Sequence, residues 1–344
     1  MTPPRDVKNG TFISRRALLM AAATGVVGLI ACSGQDRPSV APRSSSTSRS
    51  VGETKWPGHQ PGRIYLGLSS PDPDLTIAMQ TYGRVGVHRT FHSFYDGIGE
   101  DEAVRADHTA GRLPWVSFKP PNPGVGAWLH IAAGSFDEPL RERARRYAAH
   151  AQPIIVTFHH EPSNDGAGAP DSFAKAFARV HDVMADETGL SNVTFAPIIG
   201  DWELNLNNEG SDLMGYLSPE VLDRSDLIGV DVYQNSSGET FAERLGRLTE
   251  YLDTHGRGDL MLGVGECGCT DTFGTPSAVQ WWVESWEWAA RHPDRVGVVS
   301  YFDSSRNSKE NVYWPLDESP AKTEAFRASM NSDVVCDLLT YQQM

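Results

Sequence analysis

Cysteine is scarce in this chain: there are four in 344 residues, and one of them, Cys32, stands close to the amino terminus. The remaining Cys267, Cys269 and Cys336 are odd in number, which excludes a complete disulfide framework. A single bridge is expected, from Cys336 to Cys267 or Cys269, fastening the carboxy terminus beneath the seventh strand. Positive charge is also short. Thirty Lys and Arg stand against 44 Asp and Glu, for a formal net charge of -14. Such a surface repels phosphate backbones, which argues against nucleic acid as a partner and suits a neutral or cationic substrate. No G-x-G-x-x-G loop follows an early strand, which argues against a dinucleotide-binding sheet. No H-E-x-x-H occurs either. His159-His160-Glu161 is the one histidine cluster, but adjacent strand residues diverge, so a metal-dependent hydrolase is the weakest reading. Cys267-x-Cys269 has no further ligands in view for zinc. No metal and no cofactor are expected.

The apolar run Ala17–Ala31 is shorter than the ~20 residues of a membrane-spanning helix and rich in small side chains. It follows Ser14-Arg15-Arg16, a twin-arginine pattern, and ends in Leu29-Ile30-Ala31-Cys32, which resembles the lipobox of bacterial lipoproteins. The resemblance implies a signal peptide over 1–31 and a lipidated Cys32 on the outer face of the cytoplasmic membrane, with export in the folded state. An uncleaved anchor is the alternative, and it too exports the protein. Residues 32–62 are rich in Ser, Pro, Arg and Gly and read as a flexible tether.

Beyond the tether, apolar runs alternate with helical stripes. Strands are expected at 64–69, 84–90, 113–119, 154–160, 193–199, 227–233, 260–266 and 296–302. Phe173, Phe177, Val180 and Met184, and likewise Phe241, Leu245, Leu248 and Leu252, repeat one i, i+4, i+7, i+11 stripe. Asp171-Ser172 and Gly238-Glu239-Thr240 supply N-cap chemistry before those helices. Eight strand-helix units over one domain, 63–332, fit a closed (β/α)8 barrel, with an open doubly wound sheet as the alternative and 333–344 as a tail. A monomer is the default assembly.

In a barrel the functional residues gather where strands end. Those ends carry Arg89 and His92, Lys119, His159-His160-Glu161, Asp201 and Trp202, Asp231 and Tyr233, Glu266, and Tyr301 and Asp303, with Trp314 in the last loop. Aromatic platforms beside paired carboxylates suit a sugar ring, and glycosidic cleavage needs one carboxylic acid and one carboxylate. Glu161 and Glu266 end the fourth and seventh strands. Alternation along the strand sends one of the two histidines into the mouth; His160 is favoured there and His159 is assigned to packing. Trp202 and Trp314 are candidates for stacking. Arg89 and Lys119 are candidates for substrate hydroxyls or an acidic sugar, or for neutralising carboxylates such as Asp231, and Asp231 and Tyr301 complete the substrate-binding set. Trp281, Trp282, Trp286 and Trp288 lie on a helix and are assigned to core packing.

An acid/base glutamate on strand four and a nucleophile on strand seven is the arrangement of the large clan of retaining glycosidases. A His-Glu pair at strand four, where most relatives have Asn-Glu, resembles glycoside hydrolase family 26, best known for endo-β-1,4-mannanases. The resemblance covers about Ile64 to Leu316. It implies Glu161 as acid/base with His160 as its orienting neighbour, Glu266 as nucleophile, and Tyr233 touching that nucleophile. A retaining mechanism would hold the carboxyl groups roughly 5–5.5 Å apart. The expectation is thus an exported hydrolase of a β-linked polysaccharide. Where typical mannanases have a tryptophan-rich stretch, this chain has Pro162-Ser163-Asn164-Asp165-Gly166, which bears on mannan specificity. A carbohydrate-binding lipoprotein without catalysis is the competing class.

Overall fold

The computed structural model describes residues 54–70, 75–205, 207–305 and 313–341. The signal, Cys32 and most of the expected tether lie outside the described residues.

Among the described residues there are ten strands: β1 Ile64–Ser69, β2 Val87–His92, β3 Leu113–Phe118, β4 Ile154–Phe158, β5 Val193–Phe195, β6 Ile198–Gly200, β7 Leu227–Tyr233, β8 Met261–Gly268, β9 Val296–Phe302 and β10 Val335–Cys336. The helices are α1 Thr76–Tyr82, α2 Gly97–Thr109, α3 Ala127–Ala132, α4 Asp137–His150, α5 Pro170–Ala185, α6 Leu213–Tyr216, α7 Pro219–Leu222, α8 Phe241–Thr254, α9 Thr275–Arg291, α10 Pro320–Met330 and α11 Leu338–Tyr341. Among the described residues no helix is long and apolar enough to cross a membrane.

All neighbouring strands pair in parallel, in the order β5-β4-β3-β2-β1-β9-β8-β7-β6. β5 and β6 are the two halves of the expected fifth strand, so the sheet returns to itself and the fold is a (β/α)8 barrel. The break falls at Ala196-Pro197, where proline has no N–H to give a ladder. Its carbonyl still accepts from Gly229 N at 2.8 Å, which keeps the ring joined to β7. The expected sixth, seventh and eighth strands are therefore β7, β8 and β9.

Alternation along each strand sorts the apolar side chains into two cores. Tyr65, Val87, Trp115, Ile155, Ile198, Leu227, Met261 and Val298 fill the barrel interior. Ile64, Leu66, Val116, Val156, Val230, Leu262 and Val299 face outward beneath the helices. Both four-residue helical stripes are fully buried there, as are Trp282 and Trp286, with Trp281 and Trp288 packed at the edge. Thr240 caps α8 in a reciprocal capping box with Glu243. Asp171-Ser172 does not cap α5. That helix begins one residue earlier at Pro170, whose fixed φ favours the first helical position, and Asp171 instead pairs with Lys175 at 2.7 Å.

Two boundaries differ from expectation. The tether ends sooner than residue 62, because Trp56, His59 and Gln60 are buried under the barrel, and Tyr65 Oη donates to Gly58 O at 2.7 Å. The 333–344 tail is docked as well: β10 adds to the start of β1, with Tyr65 opposite Cys336, and Leu338 is buried. This docking overturns the expected disulfide. Cys336 sits at the bottom of the barrel, whereas Cys267 and Cys269 follow Glu266 at the top of β8, and all three are free, buried thiols.

Candidate active site

β4 stops at Phe158, and His159 (φ 51°) and Glu161 (φ 45°) both adopt the left-handed conformation before a 3-10 turn at Pro162–Asn164. That conformation costs on the order of 1–2 kcal/mol for each such residue and cancels the strand alternation. It turns the chain so that Glu161 N bonds Ile198 O at 2.9 Å, fixing the end of β4 to β6. The Glu161 carboxyl then lies against Gly200, where a Cβ would come 3.2 Å from Oε1. Asn164 donates to Glu161 Oε2 at 3.0 Å. Asn164 is a site residue that sequence reasoning missed, although its place three residues after Glu161, across a turn opened by Pro162, was a usable signal.

His159 is fully buried. Trp128 Nε1 donates to its Nδ1 at 2.8 Å, so its Nε2 carries the proton and donates to Asp165 at 2.8 Å. Both nitrogens are thereby engaged, and burial holds the ring pKa below its usual value. Lys119 Nζ donates to the same Asp165 oxygen at 2.6 Å, so Lys119 neutralises Asp165 rather than Asp231. His160 lines the mouth, edge-on to Phe91 with ring centroids 5.3 Å apart. Burial, then the Arg89 charge, keeps it neutral. The expectation that His160 orients Glu161 is corrected here, since among the described residues no hydrogen bond joins them and Asn164 takes that place.

Glu266 owes its position to a bulge. Met261 and Gly263 point into the barrel, so strict alternation would send Glu266 outward. The β7–β8 register instead runs Val230↔Val264 and then Asp231↔Glu266, leaving Gly265 as an extra residue. Only glycine fits at 265, because a Cβ would come 2.7 Å from Asp231 Oδ1 and 2.8 Å from Arg89 Nη1. The re-aimed Glu266 accepts from Tyr233 Oη and lies 3.0 Å from Arg89 Nη1. Arg89 Nη1 is equally 3.0 Å from Asp231 Oδ1, and Arg89 Nε donates to Ser117 Oγ at 3.2 Å. Burial opposes the Arg89 charge, but Asp231 and Glu266 outweigh it and raise its pKa. Burial, then the neighbouring Glu266, raises the Tyr233 phenol, which stays a neutral donor.

Several expected binding residues sit elsewhere than at the mouth. Arg89 and Asp231 are buried beneath the glutamates and build the floor under Glu266; neither reaches solvent. Tyr301 is fully buried on the outer face of β9 against Trp282 and Phe326, because its strand position points away from the barrel. Its hydroxyl donates to Trp314 O at 2.8 Å and so anchors the loop carrying that tryptophan. The Trp314 ring leans on Tyr233 with centroids 4.6 Å apart, and Trp202 is 54% exposed just after β6. Sequence reasoning also missed Arg244 of α8, which donates to Tyr233 O at 2.7 Å and pairs with Asp201. Nothing in a helical arginine signals that role.

Glu161 is the group most displaced from ordinary behaviour at the mouth. Burial first, and the charge of Glu266 second, push its pKa up to about 7, against the opposing pull of Arg89 and Asn164. Glu161 thus holds its proton far more readily than an ordinary glutamate.

Fold and site together define a (β/α)8 barrel with paired glutamates at the ends of β4 and β8. No protein-family model matches the chain, and no curated protein matches it in sequence. Solved structures do share its fold. A GH26 β-mannanase from Bacteroides ovatus aligns over 80% of this chain and 91% of its own, at 15% identity and TM-score 0.57. A fungal β-1,4-galactanase aligns over 76% and 99%, at 12% identity and TM-score 0.57. An endo-β-1,4-glucanase from Xanthomonas axonopodis pv. citri aligns over 78% and 100%, at 12% identity and TM-score 0.54. At these identities the likeness is one of fold.

Proposed function

We propose that the chain is a retaining glycoside hydrolase acting on a β-linked polysaccharide, in the manner of an endo-β-1,4-mannanase. The observation that carries this reading is the asymmetry of the two glutamates. Glu161 keeps its proton to about pH 7 under the influence of burial and Glu266, while Glu266 accepts from Tyr233 Oη and is ion-paired with Arg89. Glu161 protonates the glycosidic oxygen as the bond to the anomeric carbon breaks, and Glu266 attacks that carbon to form a glycosyl ester. The ester removes the Glu266 charge, Glu161 becomes more acidic, and it then takes a proton from the attacking water. Structural neighbours named as mannanase, galactanase and glucanase, all acting on β-linked chains, support the substrate class.

The leader reading belongs to the same proposal: twin-arginine export, lipidation at Cys32 and residence on the outer face of the cytoplasmic membrane, where labelling with a fatty-acid probe that Cys32→Ala abolishes is the expected result. The functional test is reducing-end release from mannan, glucomannan, mixed-linkage glucan and xylan, with the anomeric configuration of the product followed by NMR. Release with retained configuration, lost on Glu266→Ala, is expected. Unchanged release by Glu266→Ala would reject the assignment.

A further inference from the structure

The mouth has a side arm beside His160, a cleft of about 540 Å³ whose floor includes Ser117 and Lys119. It adjoins the paired glutamates: His160, which lines it, directly precedes Glu161, and Ser117 Oγ accepts from Arg89 Nε, whose Nη1 lies 3.0 Å from Glu266. Its walls are unlike a site for bare sugar hydroxyls. Phe91, Tyr95, Phe136, Pro120, Pro121 and Pro123 all line it. The prolines fix the φ of that wall, so it is formed before a ligand arrives.

The polar groups on the walls are largely committed. His92 bonds Thr90 at 3.0 Å and Asp96 at 3.2 Å, and Ser117 Oγ is taken by Arg89. Ser93, Tyr95 and Asn122 are exposed, and of the lining groups that are not, two have capacity left. Lys119 spends one bond on Asp165 and is one-third exposed (33%). His160 Nδ1 is buried with no partner among the described residues. A hexose pressed here would bury hydroxyls without partners, at roughly 1–3 kcal/mol for each. An alkyl group with one carbonyl would not.

We propose that this cleft receives an ester-linked acyl substituent, such as O-acetyl, on a sugar unit bound beside Glu161. The alkyl part rests on the proline and aromatic walls, and the ester carbonyl accepts from Lys119 Nζ. The cleft volume, about 540 Å³ and within the usual ~300–1,000 Å³ of ligand sites, leaves ample room for the substituent. This inference rests on reading the mouth as a glycan site and names the chemistry of its substrate more narrowly.

The experiment is calorimetric titration of the full chain carrying Glu161→Gln with matched pairs of oligosaccharides, O-acetylated and alkali-deacetylated, from glucomannan and from xylan. In at least one pair the acetylated member is expected to bind tenfold tighter or better. Tyr95→Ala and Lys119→Met, each added to that chain, are expected to shrink the difference below threefold by weakening the acetylated member alone. Equal affinity within both pairs, binding of neither member, or an acetyl advantage that survives both substitutions would overturn the proposal. Hydrolysis by the unsubstituted chain is scored separately. Acetyl preference without release of reducing ends would keep the cleft assignment and reject the hydrolase. Release from both members at one rate, with equal binding, would do the reverse.

Discussion

Glu161 sets stability against function within one side chain. Its pKa in the folded chain, about 7, lies above the 4.5 of an unperturbed glutamate because burial and Glu266 disfavour the anion. Below pH 4.5 folded and unfolded forms both hold the proton and nothing is lost. Between 4.5 and 7 the unfolded chain releases a proton that the folded chain keeps, so stability falls as pH rises and then levels off. Glu161→Gln, uncharged throughout, should gain on the order of 1–3 kcal/mol relative to the native residue above pH 7. Thermal melts at pH 4 and pH 8 check this, and an equal increment at both values would contradict it. The same substitution removes the acid. It should lower kcat/KM by roughly 10²–10⁴ and erase the basic limb that the native enzyme is expected to show near pH 7.

A single inserted residue in β8 decides whether the site exists. Gly265 is the bulge that turns Glu266 inward onto Arg89 and Tyr233, and its missing Cβ leaves room for the Arg89–Asp231 contact. Gly265→Ala should keep the fold at a cost of about 1–3 kcal/mol, since a small group is being forced into a packed interior. It should nonetheless cut kcat at least a hundredfold, because a displacement near 1 Å at a reacting group has that effect. Circular dichroism alongside kcat separates the two outcomes, and a normal kcat in a folded variant would remove the bulge from the mechanism. The bulge also shows where sequence reasoning stopped. β1, β7 and β9 were legible to the residue because each is a buried run closed by polar groups. Both glutamates were legible as strand ends. Alternation by twos cannot register an extra residue at Gly265, nor two left-handed residues at His159 and Glu161. Tyr301 was misassigned for another reason: its place near a strand end was taken for the mouth, although alternation from the inward Val298 sends it outward, and depth in the barrel was misjudged for Arg89 and Asp231. The α8 N-cap was legible in Gly238-Glu239-Thr240, while at α5 the proline at 170 took precedence over the Asp-Ser pair that follows it.

At the scale of the whole barrel the two ends divide the work. The top carries the glutamates on strained turns and a bulge, and the bottom is a plug. Residues 54–62 and 333–341 close that plug from the two extremes of the described chain: Gln60 Nε2 donates to Asp337 O at 2.8 Å, Leu338 N to Gly111 O at 2.9 Å, and Cys336 and Leu338 fill the interior beside Tyr65 and Trp56. None of these side chains touches Glu161, Glu266 or the cleft beside His160. Deleting 333–344 removes two buried apolar side chains, Cys336 and Leu338, with the buried Asp337 between them, and uncovers part of the aromatic floor. The expected cost is about 3–5 kcal/mol, from ~1.5–3 kcal/mol for a fully buried apolar side chain together with the floor newly opened to water. A barrel of this size tolerates that at low temperature. The truncated chain should therefore melt several degrees lower and yet, assayed well below its melting point, keep the native KM and the same basic limb near pH 7. The limb is set by Glu161 and Glu266 at the other end of the strands. A shifted limb in the truncated chain would show that the plug holds the geometry of the mouth, and that the two ends are mechanically one unit.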